Sequence, residues 1–523
     1  MKKIFDFPRT CFALVIAMQT AFLINSRALW FSDEIRYANA YSNLTSMGKW
    51  VVLYLNGDPY PDKPPFYFWT VYIVQSISNL DIPSAMFLAS AVTGFLYLLA
   101  HYYFSMTVTQ DKKISLISGM ILLSNFYFMG LLNYIRMDIL FSALIILSFT
   151  FMYKFIMSSS PKYVYISYIV ASFAALTKGP LACVLPVMFY FFAVIIFRQY
   201  RMLLNKHFYI GMAVTMVPIL GWLLAIIAIE GYDFLADLIY TQVYKRAVDT
   251  WHHAEPFYYY TYALSLAWLP WVLIIFTSGF RELKDLSAGF FKRGRGEKYV
   301  IIAIVSTFVL LSMLSGKIAI YTLPIFSPIA IYFAWLFLRT NRRRVFWKAV
   351  SILFVLLAVV ILFINFVPEV PPEVSGNIIT GFASLIAAGF IWRISEKEAL
   401  SSLLSFVLII TLFFNVMGLK LIPSLDIIMS PKKQATLMKE YIAEGYKPVA
   451  YKVYSGLYTF YAGSNVYETK DLNEVGEMLV SDKKIVVGMA EKHWRRWEER
   501  PEGMKIVDSQ WVAGREYLLL LNK

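Results

Sequence analysis

Charged and aromatic residues with the chemistry to bind an anion lie in short loops between long apolar segments of this chain. These residues are Asp33, Arg36, Asp62, Lys63, Arg136, Asp138, Lys178, His252, His253, Lys317 and Tyr321. Lipid accommodates neither charged side chains nor unpaired backbone groups, so the loops must face water or a protected cavity. Lysine and arginine side chains gathered there would bind a phosphate. The carboxylates of Asp33 and Asp138 would suit charge stabilisation or general base catalysis.

Each of these residues also has a structural alternative. Interfacial anchoring, with the side chain reaching along apolar surface to water, is the alternative for Lys63, Lys178 and Lys317. Arg136 and Asp138 could form an ion pair that closes a turn, and His252 and His253 could be ordinary loop residues. Asp33 is harder to explain in this way, because we expect it at the end of the first apolar helix, where the helix dipole disfavours an acid. External loops ordinarily avoid cations. Four of the external turns that contain these residues nevertheless carry a lysine or an arginine, so a shared anion site is the favoured interpretation.

The composition identifies the class of protein. Of the 523 residues, 59% are hydrophobic and 16% are charged, whereas soluble domains contain roughly 45–50% apolar and about 25% charged residues. Repeated apolar runs of about 20 residues predict a polytopic α-helical membrane protein. The net charge of +14 does not indicate a nucleic-acid partner, because the basic residues form short clusters between apolar runs. Cys11 and Cys183 lie within apolar runs, which excludes a disulfide framework and a zinc–thiolate site.

The topology depends on one of the 14 apolar runs, the run at 64–80, which opens with two prolines. If this run lies flat at the interface, basic clusters such as those at 292–298 and 339–348 fall on the side of the N-terminus, as the positive-inside rule requires. We therefore predict 13 spans, a cytoplasmic N-terminus and an extracytoplasmic C-terminus. The first span is expected over 11–30, followed by an external loop over 31–80 with interfacial helices.

The chain is expected to divide into a transmembrane domain over 1–422 and a small extracytoplasmic α/β domain over 423–523. The predicted elements of the second domain are a strand at 447–451, a helix at 471–480 with Asp471 as its N-cap, a strand at 484–489 and a hairpin at 511–521 with its turn at Ala513-Gly514. It contains no Gly-rich loop of the kind that binds nucleotides. We therefore expect no nucleotide cofactor and a role as a cap or docking surface.

Several motifs occur in a characteristic order along the chain. They are Asp33-Glu34-x-Arg36-Tyr37, Lys63-Pro64-Pro65, Thr177-Lys178-Gly179-Pro180, His253-Ala254-Glu255-Pro256-Phe257, Leu269-Pro270-Trp271, and Ser315-Gly316-Lys317 with Tyr321 before Leu323-Pro324. In this order and spacing they resemble the GT-C glycosyltransferases, most closely the lipid A aminoarabinose transferases within the broader protein O-mannosyltransferase-like group. The resemblance extends over almost the whole chain and implies a GT-C fold.

The resemblance also implies a role for each candidate residue. Asp33 would be the principal catalytic carboxylate, with Asp138 as the second acidic residue beside it. Lys63 and Tyr321 would bind the phosphate of a polyprenyl-phosphate sugar. The further phosphate-binding candidates are Arg36, Arg136, Lys178 and Lys317.

A divalent metal such as zinc is implied by the same resemblance. The family has a glutamate where this chain has Asp62, and in the family that glutamate pairs with a loop histidine at the metal. His253 is the matching histidine here, with His252 as the alternative. Two protein ligands are fewer than a closed zinc site needs.

The function that the resemblance implies is inverting transfer of a sugar, 4-amino-4-deoxy-L-arabinose or a similar one, from undecaprenyl phosphate to lipid A phosphate. It would occur at the periplasmic face of the bacterial inner membrane. A protein or another glycolipid is the alternative acceptor. A lipid or sugar transporter is the alternative from another class, but transporters place ionisable residues near the bilayer midplane, and the polar cluster here is expected at one surface. We expect membrane lipid around the protein, no nucleic-acid partner and a monomer.

Overall fold

The computed structural model describes residues 8–21, 27–240, 255–279, 282–284 and 294–523, and most of them are helical. The helices before residue 241 are α1 (Pro8–Thr20), α2 (Asp33–Ser46), α3 (Phe66–Ser78), α4 (Ile82–Thr109), α5 (Lys112–Leu123), α6 (Phe126–Leu132), α7 (Asp138–Ser158), α8 (Pro161–Lys178), α9 (Leu181–Ile196), α10 (Lys206–Glu230) and α11 (Tyr232–Ile239). The helices after residue 254 are α12 (Tyr259–Ala267), α13 (Leu273–Thr277), α14 (Arg295–Met313), α15 (Phe326–Arg339), α16 (Arg343–Leu362), α17 (Asn377–Ile394), α18 (Ala399–Leu419), α19 (Leu421–Ser424), α20 (Asp426–Met429), α21 (Lys432–Ala443), α22 (Thr459–Ala462), α23 (Leu472–Val480) and α24 (Glu491–Arg495). Short 3-10 helices span Tyr200–Leu204, Ala319–Ile325 and Ile364–Phe366.

The described helices make this chain a multi-pass membrane protein. Eight helical segments of the described ranges are long and apolar enough to cross a bilayer, and α5 with α6, bent by 71°, would form a ninth. The eight segments are Ile82–Thr109, Asp138–Ser158, Lys206–Glu230, Arg295–Met313, Ala319–Arg339, Arg343–Leu362, Asn377–Ile394 and Ala399–Ser424. The apolar run at 257–279 is divided between α12 and α13. The number of 13 spans therefore stays a prediction.

Helix α7 is one of the two most buried of the candidate spans in the described ranges. In the most apolar 18-residue stretch of α7, 78% is buried inside the protein. Only 11% of the corresponding stretch of α10 is buried. Helix α7 packs against α4, α8 and α9, and the ring of Phe149 stacks on that of Phe189 with centroids 4.2 Å apart. Because Asp138 opens this helix, its carboxylate lies where several helix ends meet.

The expected first span ends earlier than the apolar run does. Helix α1 ends at Thr20, and the described residues 27–32 are not helical. The prediction of a helix over 11–30 is therefore wrong at its end, and Asp33 is the first residue of α2 instead. The dipole at this N-terminus favours an acid, so the position of Asp33 in a helix no longer argues for a function. Only the contacts of Asp33 can indicate a function.

The loop predicted at 31–80 contains α2, α3 and a small hairpin that the sequence does not predict. Strands β1 (Tyr54–Leu55) and β2 (Asp58–Pro59) pair antiparallel. The turn residues Asn56 and Gly57 have positive φ values of 54° and 90°, which these residue types adopt most readily. Helix α3 has 13 residues, a length of about 20 Å, which is short of a hydrocarbon core of about 30 Å. This length agrees with an interfacial position.

The C-terminal part is a mixed five-stranded sheet with helices beside it. Its strands are β3 (Lys447–Tyr451), β4 (Tyr467–Thr469), β5 (Ile485–Ala490), β6 (Lys505–Val512) and β7 (Arg515–Leu521), in the order β4-β3-β5-β7-β6. All of β5 is buried, as expected of a central strand covered on both faces. The predicted strands at 447–451 and 484–489, the N-cap Asp471 and the turn at 513–514 are confirmed. The domain boundary at 423 stays a prediction.

This C-terminal sheet unit docks on the hairpin of the first loop. Asn56 Nδ2 donates to Val466 O at 2.7 Å, and Asn56 Oδ1 accepts from Val466 N and Thr459 Oγ1, both at 2.8 Å. A Cβ at the neighbouring Gly57 would lie 2.6 Å from the side-chain nitrogen of Asn465, which would have to move. The contacts fit the expected role of the unit as a docking surface.

Replacing Asn56 by Ala is expected to loosen this docking. The change removes three hydrogen bonds and leaves the backbone groups of Val466 without these partners, at a cost of about 1 kcal/mol per bond. Thermal unfolding and the rate of limited proteolysis measure the effect. The control Asn473→Ala, at an exposed position of α23, should change stability by less than about 0.5 kcal/mol. Equal stability of the two variants would contradict the prediction.

Candidate active site

Asp33, Arg136, Asp138, Lys178 and Tyr321 form a continuous row of contacts, which we call the charged row. Arg136 Nη1 lies 2.8 Å from Asp33 Oδ2, and Arg136 Nε lies 3.0 Å from Asp138 Oδ2. The other oxygen of Asp138 forms an ion pair with Lys178 Nζ. The ammonium group of Lys178 lies 4.2 Å from the centre of the Tyr321 ring, a cation–π contact. Residues from four separate chain segments thus form one site.

The ends of helices bring the charged row together. Asp138 is the first residue of α7 and Lys178 the last residue of α8. Gly179 follows with φ +108°, a left-handed conformation that favours glycine and that ends the helix at the site. Asp33 opens α2, and Tyr321 lies in a 3-10 helix that packs against α7. Acids at helix N-termini and a lysine at a C-terminus are the favourable arrangement for the helix dipoles.

The two cations and two carboxylates of the row balance each other. Burial lowers the pKa of Arg136, but the carboxylates of Asp138 and Asp33 outweigh burial and raise that pKa above its usual value. The side chain of Asp138 is 1% exposed, whereas those of Asp33 and Arg136 are 19% and 20% exposed. The row is therefore closed at Asp138 and accessible at Asp33. Asp138 can hold the cations in position, and Asp33 can reach a substrate group.

Three further predicted phosphate ligands, Arg36, Lys63 and Lys317, are not members of the charged row. Arg36 has its guanidinium between two tyrosine rings, 4.9 and 4.6 Å from their centres. Lys317 is 4% exposed, and its Nζ donates to the carbonyl of Glu255 at 2.7 Å, which ties the segment before α12 to the 3-10 helix of Tyr321. Lys63 is half-buried in the loop before α3. The phosphate-binding roles of these residues stay predictions.

The predicted metal ligands do not form a complete site in the described part of the chain. Asp62 is half-buried, and the guanidinium of Arg36 is among its charged neighbours. The described ranges contain no group of three or more His, Cys, Asp and Glu residues that could hold a metal ion. His253 and its alternative His252 lie outside the described residues. One carboxylate beside a cation is insufficient for a zinc site, so we derive no step through a metal.

A buried ion pair that sequence analysis does not single out supports the charged row. Glu34 is fully buried and accepts two hydrogen bonds of 2.7 Å from Arg27. It also accepts a hydrogen bond of 2.9 Å from the backbone N–H of Ile135. Glu34 follows Asp33 and Ile135 precedes Arg136, so the hydrogen bond between Glu34 and Ile135 joins the two chain segments that form the Asp33–Arg136 salt bridge. The only sequence signal was a glutamate beside a candidate acid.

The sequence is similar to those of known transferases. Residues 62–224 match the family model described as dolichyl-phosphate-mannose-protein mannosyltransferase. The undecaprenyl phosphate-alpha-4-amino-4-deoxy-L-arabinose arabinosyl transferase of Shewanella sediminis is 27% identical over 318 residues, 59% of this chain and 56% of the relative. Transferase 2 of the same description from Proteus mirabilis is 25% identical over 331 residues, 62% of this chain and 58% of the relative. The matched part covers less than two thirds of the length of these relatives.

Solved structures show the fold. The crystal structure of ArnT from Cupriavidus metallidurans bound to undecaprenyl phosphate matches with a TM-score of 0.77 at 16% identity, over 98% of both chains. The apo state of the same protein matches with a TM-score of 0.75. The GT-C fold expected from the motifs is thereby confirmed. This chain is a membrane protein with the fold of ArnT, and its residues 62–224 match the model of the dolichyl-phosphate-mannose-protein mannosyltransferase family.

Proposed function

We propose that this protein is a glycosyltransferase that transfers a sugar from undecaprenyl phosphate to an acceptor at the membrane surface. The charged row carries the proposal, because its cations and carboxylates alternate where the ends of α7 and α8 meet. The similar transferases are named for undecaprenyl phosphate-linked aminoarabinose, and the similar ArnT structure contains undecaprenyl phosphate. A lipid-linked phosphate that approaches sideways from the bilayer would meet the row.

In the proposed reaction, Arg136 and Lys178 offset the negative charge that develops on the departing lipid phosphate. Two nitrogen atoms of Arg136 are paired with carboxylates, and a guanidinium has five N–H donors, so donors remain for phosphate oxygens. Asp138 keeps both cations in place. The acceptor oxygen attacks the anomeric carbon from the face opposite the phosphate. The carbon–oxygen bond to the phosphate breaks as the new bond forms, and the configuration inverts.

Asp33 faces the acceptor in this proposal, and its task depends on what the acceptor is. A lipid A phosphate is already partly ionised near neutral pH, since the second pKa of a phosphate monoester is about 6. Asp33 would then orient the acceptor and stabilise charge. A hydroxyl acceptor on a protein or another glycolipid would have to transfer its proton to Asp33. We propose lipid A phosphate as the acceptor and 4-amino-4-deoxy-L-arabinose or a similar sugar as the transferred group.

The protein lies in the bacterial inner membrane as a monomer, with a cytoplasmic N-terminus and a periplasmic C-terminal sheet unit. Lys63 and Tyr321 contribute to binding of the donor phosphate. A divalent metal bound by Asp62 and His253 stays a prediction. Metal analysis of the purified protein would test it.

The proposed function is tested with purified protein in lipid nanodiscs. Undecaprenyl phosphate-linked aminoarabinose and lipid A are supplied, and mass spectrometry follows both lipids. We expect lipid A to gain one sugar as free undecaprenyl phosphate appears. Transfer to a protein or another glycolipid but not to lipid A would contradict the proposed acceptor. Movement of intact donor across proteoliposomes, with no cleavage, would contradict the whole proposal in favour of a transporter.

Replacing Lys178 by Gln is expected to lower kcat/KM for the donor by about 10²–10³-fold, the usual cost of removing one charge-stabilising group. Lys178 pairs with Asp138 inside the charged row. Lys162→Gln is the matched control, because Lys162 is exposed near the other end of the same helix, about 24 Å away at 1.5 Å per residue. Steady-state kinetics with purified donor measure both variants. Equal kinetics would exclude Lys178 from the donor site.

A further inference from the structure

Two polar atoms of the first loop are buried, and neither has a hydrogen-bond partner among the described residues. They are Tyr60 Oη and Arg36 Nε. Tyr60 is 6% exposed, and the Arg36 guanidinium lies 4.9 Å from the centre of its ring. A buried polar group without a partner costs roughly 1–3 kcal/mol. Because these two side chains are in contact, one ligand that reaches both atoms would supply both missing partners.

The C-terminal sheet unit holds Arg36 in place. Arg36 Nη1 donates to Tyr454 Oη at 2.9 Å, and the guanidinium lies 4.6 Å from the centre of the Tyr454 ring. The ring of Phe31 packs edge-on against Tyr454, with centroids 5.4 Å apart. Tyr454 is 44% exposed, so the group lies at the border between the protein interior and water. Tyr454 is thus suited to fix the guanidinium beside Tyr60.

The charges around Arg36 favour a neutral ligand. Burial lowers the pKa of Arg36, but the two tyrosines and the carboxylates of Asp62 and Asp33 outweigh burial and raise that pKa above its usual value. Glu468 is a third carboxylate in the same surroundings. These carboxylates would repel a bound anion. They do not oppose a hydroxyl group, which can accept a hydrogen bond from Arg36 and exchange one with Tyr60.

The position of Tyr60 and Arg36 relative to the charged row indicates which hydroxyl these two residues bind. Asp33 and Arg36 are three residues apart on α2 and share one face of the helix. Asp33 therefore lies between the cations of the row and the Tyr60–Arg36 pair. We propose that Tyr60 and Arg36 form the subsite that hydrogen-bonds a hydroxyl of the transferred monosaccharide, with Tyr454 as the positioning residue. This inference rests on the proposed glycosyl transfer, since it takes the sugar to be attached to a phosphate at the row.

Tyr60→Phe separates a ligand-binding role from a structural one. The change removes only a hydroxyl that has no described protein partner, so the stability of the fold should be unchanged or slightly higher, whereas a structural role would lower it. The probes are undecaprenyl phosphate-linked aminoarabinose and undecaprenyl phosphate without a sugar, with each Kd measured in nanodiscs. We expect the Kd of the sugar-bearing lipid to rise about 10-fold, the effect of one lost hydrogen bond of about 1.4 kcal/mol. The Kd of the sugarless lipid should not change.

Two more variants complete the test. Tyr168→Phe removes another buried hydroxyl without a described partner, ten residues and about 15 Å before Lys178 on α8, and both Kd values should stay at the wild-type level. Tyr454→Phe keeps the ring but loses the hydrogen bond to Arg36, so it should weaken only the sugar-bearing lipid. An unchanged Kd of that lipid in Tyr60→Phe, or an equal loss for both lipids, would overturn the subsite alone. Wild-type protein that binds neither lipid would contradict the donor proposal itself.

Discussion

Replacement of Asp33 by Asn is expected to lower the rate of transfer to lipid A by about 10²–10³-fold, the usual cost of removing one charge-stabilising group. The amide keeps the shape of the side chain but loses the charge that pairs with Arg136 at 2.8 Å. The Asp33 side chain is 19% exposed, so loss of the pair should cost only on the order of 0–1 kcal/mol of stability. The variant should therefore insert and purify normally. The measurement is kcat in nanodiscs at saturating donor and acceptor.

Asp58→Asn is the control for this experiment. Asp58 is exposed on β2 in the same loop, and its variant should turn over at the wild-type rate. Near-normal turnover of Asp33→Asn would remove Asp33 from the mechanism. The size of the loss also reports on the acceptor, because a hydroxyl needs a base and an ionised phosphate does not. A much larger loss with a hydroxyl acceptor than with lipid A would identify Asp33 as that base.

Replacement of Glu34 by Gln is expected to produce the largest loss of stability, about 3–5 kcal/mol, since it leaves the charge of a buried arginine without its partner. The Arg27 and Glu34 side chains are 1% and 0% exposed and lie 2.7 Å apart. The backbone N–H of Ile135 loses a charged acceptor as well. Unfolding of the purified protein in mixed detergent micelles measures the free energy change. The transfer rate should fall too, because Ile135 precedes Arg136.

A double variant and an exposed pair control this prediction. Arg27→Met with Glu34→Leu removes both charges and should be more stable than Glu34→Gln alone, because no unpaired charge remains in the interior. Glu491→Gln breaks the exposed pair with Arg495 at the start of α24 and should cost less than about 1 kcal/mol. A Glu34→Gln protein as stable as Glu491→Gln would show that the buried pair does not support the fold.

Hydropathy predicted the membrane class but not the ends of the helices. An apolar run reports burial in lipid, whereas a helix ends where a local cap or turn satisfies its backbone. The run at 114–132 is one hydropathy segment, yet Asn125 accepts a hydrogen bond of 2.8 Å from Phe128 N and starts a new helix at an angle of 71°. The end of α1 at Thr20 is a second example. Hydropathy had placed Asp33 at the wrong end of a helix for this reason.

The sequence by itself determined the membrane class, the residue types available at the site and the local elements of the C-terminal sheet unit, including the Asp471 cap. These features depend on neighbouring residues, so local chemistry specifies them. Only the tertiary structure decided which charges pair. Arg136 joins two carboxylates, Lys317 donates to a backbone carbonyl, and Glu34 pairs with Arg27. A buried charge needs a partner, but the packing of distant helix ends selects it, and no pattern along one chain records that packing.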